Sequence, residues 1–208
     1  MRMYGLALSM LLGCGGGDPD SSKRQAARVH STEDRPVQET SHADCQIVSE
    51  SRLSGEGIGA IRIGESILHV KASCPLTQDD SVDVEEGLRE RVVAIATGLG
   101  LFRASVDSER VWRIEVDSPA PQTADSIHVG TPLRRLLALY GLRGAEGESG
   151  LFLATPTHCG MSFRLKLEIA DAEHKSDWTL ADLRRLPPDT PIDLILMFGC
   201  LSQRRPVR

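Results

Sequence analysis

The sequence predicts an α+β domain: two degenerate strand–helix–antiparallel-strand units, with helices packed on one face of an antiparallel sheet. Three observations predict it. The stretch I-H-V-G-T-P-L-R-R-L-L-A-L-Y-G from Ile127 to Gly141 has an earlier echo. A shift of 66 positions sets Ile127 on Ile61, Val129 on Ile63, Gly130 on Gly64, Leu133 on Ile67 and Leu136 on Val70, the self-similarity of a repeat. Several stretches between and after these copies alternate apolar and polar residues at the strand period. At 208 residues, 40% hydrophobic and 25% charged, the chain is long enough to bury a core.

The chain opens on an export signal instead of a fold element. Arg2 supplies a positive start and Met3 to Leu12 is apolar, a run too short for a spanning helix, which needs about 20 residues. It closes on Leu11-Leu12-Gly13-Cys14, which resembles the lipobox of bacterial lipoproteins. The resemblance implies cleavage of residues 1–13, acylation of Cys14 and a mature chain held to the membrane by lipid. Gly15 stands where an aspartate would resemble the inner-membrane retention signal, so the outer membrane is the favoured address. Residues 14–43, with Gly15-Gly16-Gly17 and a polar mixture through His42, carry no apolar period. They read as a flexible tether with a reach on the order of 30 Å, and His30 and His42 within it as solvent-exposed. The folded domain is expected over 44–208, its units at about 57–120 and 121–200.

In the first unit Ser66 caps a short helix carrying Ile67, Leu68 and Val70, which ends before Cys74-Pro75. Asp79 to Glu86 reads as a solvated acidic loop; a calcium loop would need glycine at its sixth position, where Val84 stands. Arg91–Thr97, Leu101–Val106 and Val111–Asp117 read as strands. The last places Trp112, Ile114 and Val116 on the buried face, with Arg113 and Glu115 outside. In the second unit Thr131 is the expected N-cap and Pro132 the first helical residue. Leu133, Leu136, Leu137 and Tyr140 share a buried face before a left-handed stop at Gly141. Gly144–Gly150 reads as a loop, and Leu151–Ala154 and Met161–Leu167 as strands. Thr179 caps a helix with Asp182 at the capping-box position, and Ile192–Phe198 is a strand covered on both faces. Arg204, Arg205 and Arg208 form a basic tail.

Beyond Cys14 the chain has Cys45, Cys74, Cys159 and Cys200, an even number suited to an oxidising compartment. Pairing Cys45–Cys74 and Cys159–Cys200 keeps each bridge within one half of the domain; buried free thiols are the alternative. A net charge of −5 argues against nucleic acid as a partner. His158 and Cys159 are adjacent, but neighbours on an extended backbone point apart, so they make no nucleophile–base pair. Gly55-Glu56-Gly57-Ile58-Gly59 precedes a strand, whereas a dinucleotide loop follows one. No cysteine or histidine recurs at metal-ligand spacing, and no Walker loop, G-x-S-x-G or H-E-x-x-H is present. No catalytic residue, cofactor or metal is therefore assigned. Arg103, Arg113, Arg164 and Lys166 fall on the expected outer sheet face and form a candidate cationic platform for an anionic partner. The plainer reading is long side chains covering apolar pleats.

The I-x-[IV]-G strand end, the short helix closing near Tyr140-Gly141 and the strands behind it resemble the SmpA/OmlA (BamE-like) family of small lipoproteins. The tandem arrangement resembles the β-lactamase inhibitory protein fold. Ile61, Ile63, Gly64, Val70, Ile127, Val129, Gly130, Leu136, Tyr140 and Gly141 carry the likeness. It implies a fold and not a function. The sequence is thus read as an envelope lipoprotein, anchored to the membrane by lipid, that is not an enzyme. It would serve as a protein-binding or scaffold module for an envelope protein or an anionic envelope polymer. A periplasmic hydrolase with an unrecognised site and a purely structural lipoprotein are the alternatives.

Overall fold

The computed structural model describes Cys45, Ile47 and residues 50–85, 88–147, 149–167 and 175–200. The expected export signal with Cys14, the expected tether with His30 and His42, and the basic residues Arg204, Arg205 and Arg208 lie outside the described residues. Among the described residues no helix is long and apolar enough to cross a membrane.

Among the described residues three two-residue strands come first, β1 (Arg52–Leu53), β2 (Gly57–Ile58) and β3 (Ile61–Arg62), followed by helix α1 (Ile67–Ser73). Four long strands come next, β4 (Leu76–Glu85), β5 (Leu88–Thr97), β6 (Gly100–Asp107) and β7 (Arg110–Val116). After β8 (Gln122–Thr123) and helix α2 (Leu133–Leu139) come β9 (Arg143–Gly147), β10 (Gly150–Ala154), β11 (Met161–Leu165), the short helix α3 (Leu180–Leu183) and β12 (Ile192–Met197). The main sheet has eight strands in the order β4-β5-β6-β7-β12-β11-β10-β9, all antiparallel. Its two meanders join where β12 pairs β7, Ile195 facing Val116 and Met197 facing Ile114. The last strand among the described residues is therefore central, and its Ile192, Ile195 and Met197 are buried. Phe102, Phe163, Ile114 and Leu151 are fully buried with them, each contributing about 1.5–3 kcal/mol of apolar burial.

This architecture overturns the α+β expectation of helices layered on a sheet: the fold is sheet-dominated. Helices α1 and α2 have seven residues each and α3 has four. The two longer helices bury only Ile67 and Val70, and Leu133 and Leu136. The amphipathic spacing is present, but extended residues at Cys74 and Tyr140 close each helix after two turns. Tyr140 is therefore a helix terminator and not a member of the helical face, and Gly141 is not among the positive-φ glycines. Two-residue ribbons and loops, through Ile47, Leu53, Ile58, Ile127 and Trp178, cover the core alongside the helices.

Other differences have local causes. The acidic run is strand: Asp79 pairs Val93 and Asp83 pairs Arg89, and Arg91 holds the Asp79 carboxylate through two hydrogen bonds of 2.8 and 2.9 Å. As the outermost strand, β4 can be polar on both faces, and charge there guards an open edge. Residues 143–147 form β9, not a loop. A Cβ at Gly144 would lie 2.9 Å from the Trp178 Cβ, so the glycine permits a close approach inside a strand. Ile127–Val129 is not a strand, and Thr131 does not cap α2. Its hydroxyl accepts from the His128 N–H at 3.0 Å, leaving Pro132 at the cap position without a side-chain bond.

Candidate functional site

The feature that most resembles a binding site lies at the β6–β7 turn, and a β-bulge creates it. Val106 pairs Val111 while Ser105 pairs Arg113, so Trp112 is the extra residue on β7. Val111 takes the core position at 1% exposure, and Trp112, expected inside, is 41% exposed. The turn itself holds Ser108 at φ 49° and Glu109 at φ 60°. Two successive left-handed residues define the type I′ class, in which Asn-Gly is usual; asparagine is absent from this chain. The surroundings fix the turn. The Glu109 carbonyl accepts from Ile67 N–H at 3.0 Å, and the Arg110 Nη1 donates to the Gly64 carbonyl at 2.7 Å.

The opposite wall comes from the chain beyond β12. Phe198 N–H donates to the Gly160 carbonyl and Gly199 N–H to the Gly55 carbonyl, both at 2.9 Å, and Cys200 N–H donates to Glu56 Oε1 at 3.0 Å. The Cys159–Cys200 disulfide locks this exit to the start of β11. A Cβ at Gly55 would collide with the Cys159 carbonyl, so the backbones meet only because that residue is glycine. Between the walls lies a cleft of about 420 Å³ lined by Glu56, Ile63, Asp107, Arg110, Trp112 and Phe198, among others. Phe198 is 38% exposed.

The four residues of the expected cationic platform are placed as follows. Arg103, Arg113 and Arg164 project opposite the core, and each has a carboxylate partner. Arg103 meets Asp117 at 2.9 Å, and Arg113 meets Glu90 at 3.0 Å and Glu115 at 3.2 Å. Arg164 grips Asp193 at 2.8 and 3.1 Å. Across the strands they face Ala94, Ser105 and Leu194, which are 4%, 2% and 8% exposed. Their alkyl stems thus cover the pleats while their heads pair with acids. Lys166 lies just past β11, exposed. The face is a guanidinium–carboxylate lattice, not a bare cationic surface.

Both expected cysteine pairs are disulfides, Cys45–Cys74 and Cys159–Cys200, with Cα separations of 4.7 and 5.2 Å. The second removes Cys159 from thiol chemistry. Its neighbour His158 instead joins a cluster spread over 33 residues. The Tyr140 hydroxyl donates to Asp125 Oδ2 at 2.6 Å, and His158 Nε2 lies 3.1 Å from that oxygen and 2.9 Å from the hydroxyl. With the tyrosine proton committed to Asp125, Nε2 must carry the hydrogen here. The ring stands edge-on to Tyr140 and Phe163. Burial, then the bond to Asp125, raises the Tyr140 hydroxyl above the ordinary tyrosine range. The Tyr140 bond, with the nearby His158 and Arg135, holds the Asp125 carboxyl below the ordinary carboxylate range. The cluster ties the loop at Asp125, the end of α2 and the segment before β11 into one hydrogen-bonded clasp. A second cavity of about 440 Å³ lies beside it, lined by Gly141, Leu142, Arg143, Ala154, Thr155 and Pro156. Among the described residues no group of three or more His, Cys, Asp or Glu side chains could hold a metal.

No family model matches the chain, and no curated protein matches it significantly. Among solved structures, the fold is similar to that of the uncharacterized protein YfeY from Escherichia coli. The TM-score is 0.51 at 15% identity, over 71% of this chain and 99% of that one. At that identity the likeness concerns the fold alone.

Proposed function

We propose that this protein is a non-catalytic binding module of a bacterial envelope, anchored by lipid at Cys14, that acts by contact on another envelope component. The observation that carries this reading is the cleft. Trp112 and Phe198, 41% and 38% exposed, stand in one concavity with Glu56, Asp107 and Arg110. Exposed aromatics grouped with a few charges at a rigid concave site are the usual composition of a recognition site. Two disulfides fit an oxidising compartment, which supports the exported address.

The test is photo-crosslinking in intact cells. A benzophenone amino acid at Ser108, on the cleft rim, is compared with one at Leu139, exposed on α2 away from the cleft. An adduct formed from position 108 and not from 139 is the expected result. Identical adduct patterns from both positions, or none, would remove the cleft from the account.

A further inference from the structure

We infer that the cleft takes an uncharged glycan, a conclusion that rests on the contact reading above and names its ligand class. The aromatic walls come first. The Arg113 guanidinium lies 4.7 Å from the Trp112 ring centroid and is itself held by Glu90 and Glu115. The indole is thus a braced apolar plate, and its attraction for a cation is already met from within the protein. Phe198 supplies a second plate directly after the neighbouring strand. A sugar ring presents C–H groups on its faces and hydroxyls around its rim, so it can lie against such plates while its edge meets polar groups.

The polar set matches that edge. Glu56 and Asp107 accept, Arg110 donates, and the Ser108 hydroxyl, which donates to Asp107 at 3.3 Å, can do either. Vicinal hydroxyls both donate and accept, so they suit a carboxylate beside a guanidinium. Two carboxylates against one guanidinium leave the lining net negative, which disfavours phosphate and carboxylated polymers. A cationic ligand would face Arg110 and an indole already occupied by Arg113. The volume of about 420 Å³ fits a short oligosaccharide and falls in the roughly 300–1,000 Å³ range of small-ligand sites.

A peptide added as a strand is disfavoured for a separate reason. β7 is paired by β6 and β12, and β12 by β7 and β11, so neither offers a free edge at the cleft. The disulfide, the glycine contact and the fixed turn hold the site in shape, which lowers the ordering cost of binding.

The experiment titrates the full-length lipoprotein, in a detergent without a sugar headgroup, with N-acetylglucosamine oligomers, gluco-oligosaccharides and polygalacturonate. Tryptophan emission is the readout. Trp178 is 4% exposed, so a ligand-dependent shift reports Trp112. A neutral oligosaccharide should shift the emission at millimolar concentration or below. Trp112→Ala, which lacks the reporter and is therefore followed by isothermal titration calorimetry, should lose the binding. Glu56→Gln, which keeps an oxygen for Cys200 N–H, should weaken it roughly tenfold by removing a charged acceptor. Equal binding of polygalacturonate would overturn the charge argument. Absence of binding by any neutral oligosaccharide, with a protein adduct still formed from position 108, would overturn the glycan inference and leave the contact reading standing. Loss of both would end both.

Discussion

The chain makes the same backbone joint twice and ties it down in two different ways. Gly64, at φ 83°, donates its N–H to the Val111 carbonyl at 2.7 Å; Gly130, at φ 96°, donates to Ile192 at the same distance. Val111 and Ile192 return the bond to Glu65 and Thr131, each at 2.9 Å. The first helical N–H, of Ile67 or Leu133, reaches a carbonyl at Glu109 or Thr190. Each seven-residue helix then ends on an extended residue, Cys74 or Tyr140, 66 positions apart. There the likeness stops. Cys74 is bridged to Cys45, and Tyr140 is clasped by Asp125 and His158. Backbone geometry sets where a tie is needed, and side-chain chemistry decides whether it yields to reductant or to acid.

The largest effect expected of breaking this comparison is at the covalent tie. Cys45 and Cys74 are 29 residues apart, and closing a loop of that length removes about 3.5 kcal/mol of chain entropy from the unfolded state. Replacing both cysteines with alanine should lower stability by that order in urea titration under non-reducing conditions. A loss below about 1 kcal/mol would mean that the helix end is held by packing alone.

The glycines sharpen the comparison next. A Cβ at Gly64 or Gly130 would meet nothing within 4 Å, so only the positive φ resists substitution. Gly64→Ala and Gly130→Ala should each cost about 1–2 kcal/mol, and by nearly equal amounts if the joints are the same. Unequal losses in matched denaturation curves would show that the shared hydrogen bonds hide different strain.

The joints were legible as the aligned glycines at 64 and 130 and, in the first copy, as the Ser66 cap; the left-handed stop expected at Gly141 and the cap expected at Thr131 did not form. The disulfide pairs and the alternation of Met161, Phe163 and Leu165 were legible as well. What escaped depends on partners distant in the chain. Trp112 faces outward because β6 and β7 fall out of step between Ser105 and Val106, which the alternation of one strand cannot reveal. Asp79 lies in a strand because Arg91, twelve residues on, neutralises it. Gly144 permits an approach by Trp178. The helical period at 67–73 and 133–139 was visible, but its shortness followed from the extended closing residues, so the fold class leaned too far toward helix. The cleft needed all of these at once.

The smallest effect separates the two ties by pH. Tyr140→Phe removes a hydroxyl whose partner Asp125 is half exposed, 44% at its side chain. The loss at neutral pH should therefore be small, below that of either the disulfide or the glycine changes. Asp125 has its folded value depressed, chiefly by the Tyr140 bond. Its contribution is thus complete above the ordinary carboxylate value of about 3.9 and fades as pH falls through the lower folded value. Tyr140 is shifted the other way, so its share is complete below about 10 and is lost as the solution becomes more alkaline. The stability gap between wild type and Tyr140→Phe should accordingly be level across neutral pH and narrow in strong acid. The gap opened by removing Cys45–Cys74 should ignore acid over the same range and respond to reductant. If the tyrosine gap persists undiminished in acid, the hydroxyl acts through packing instead of through the ionised carboxylate, and the contrast between the two ties reduces to strength alone.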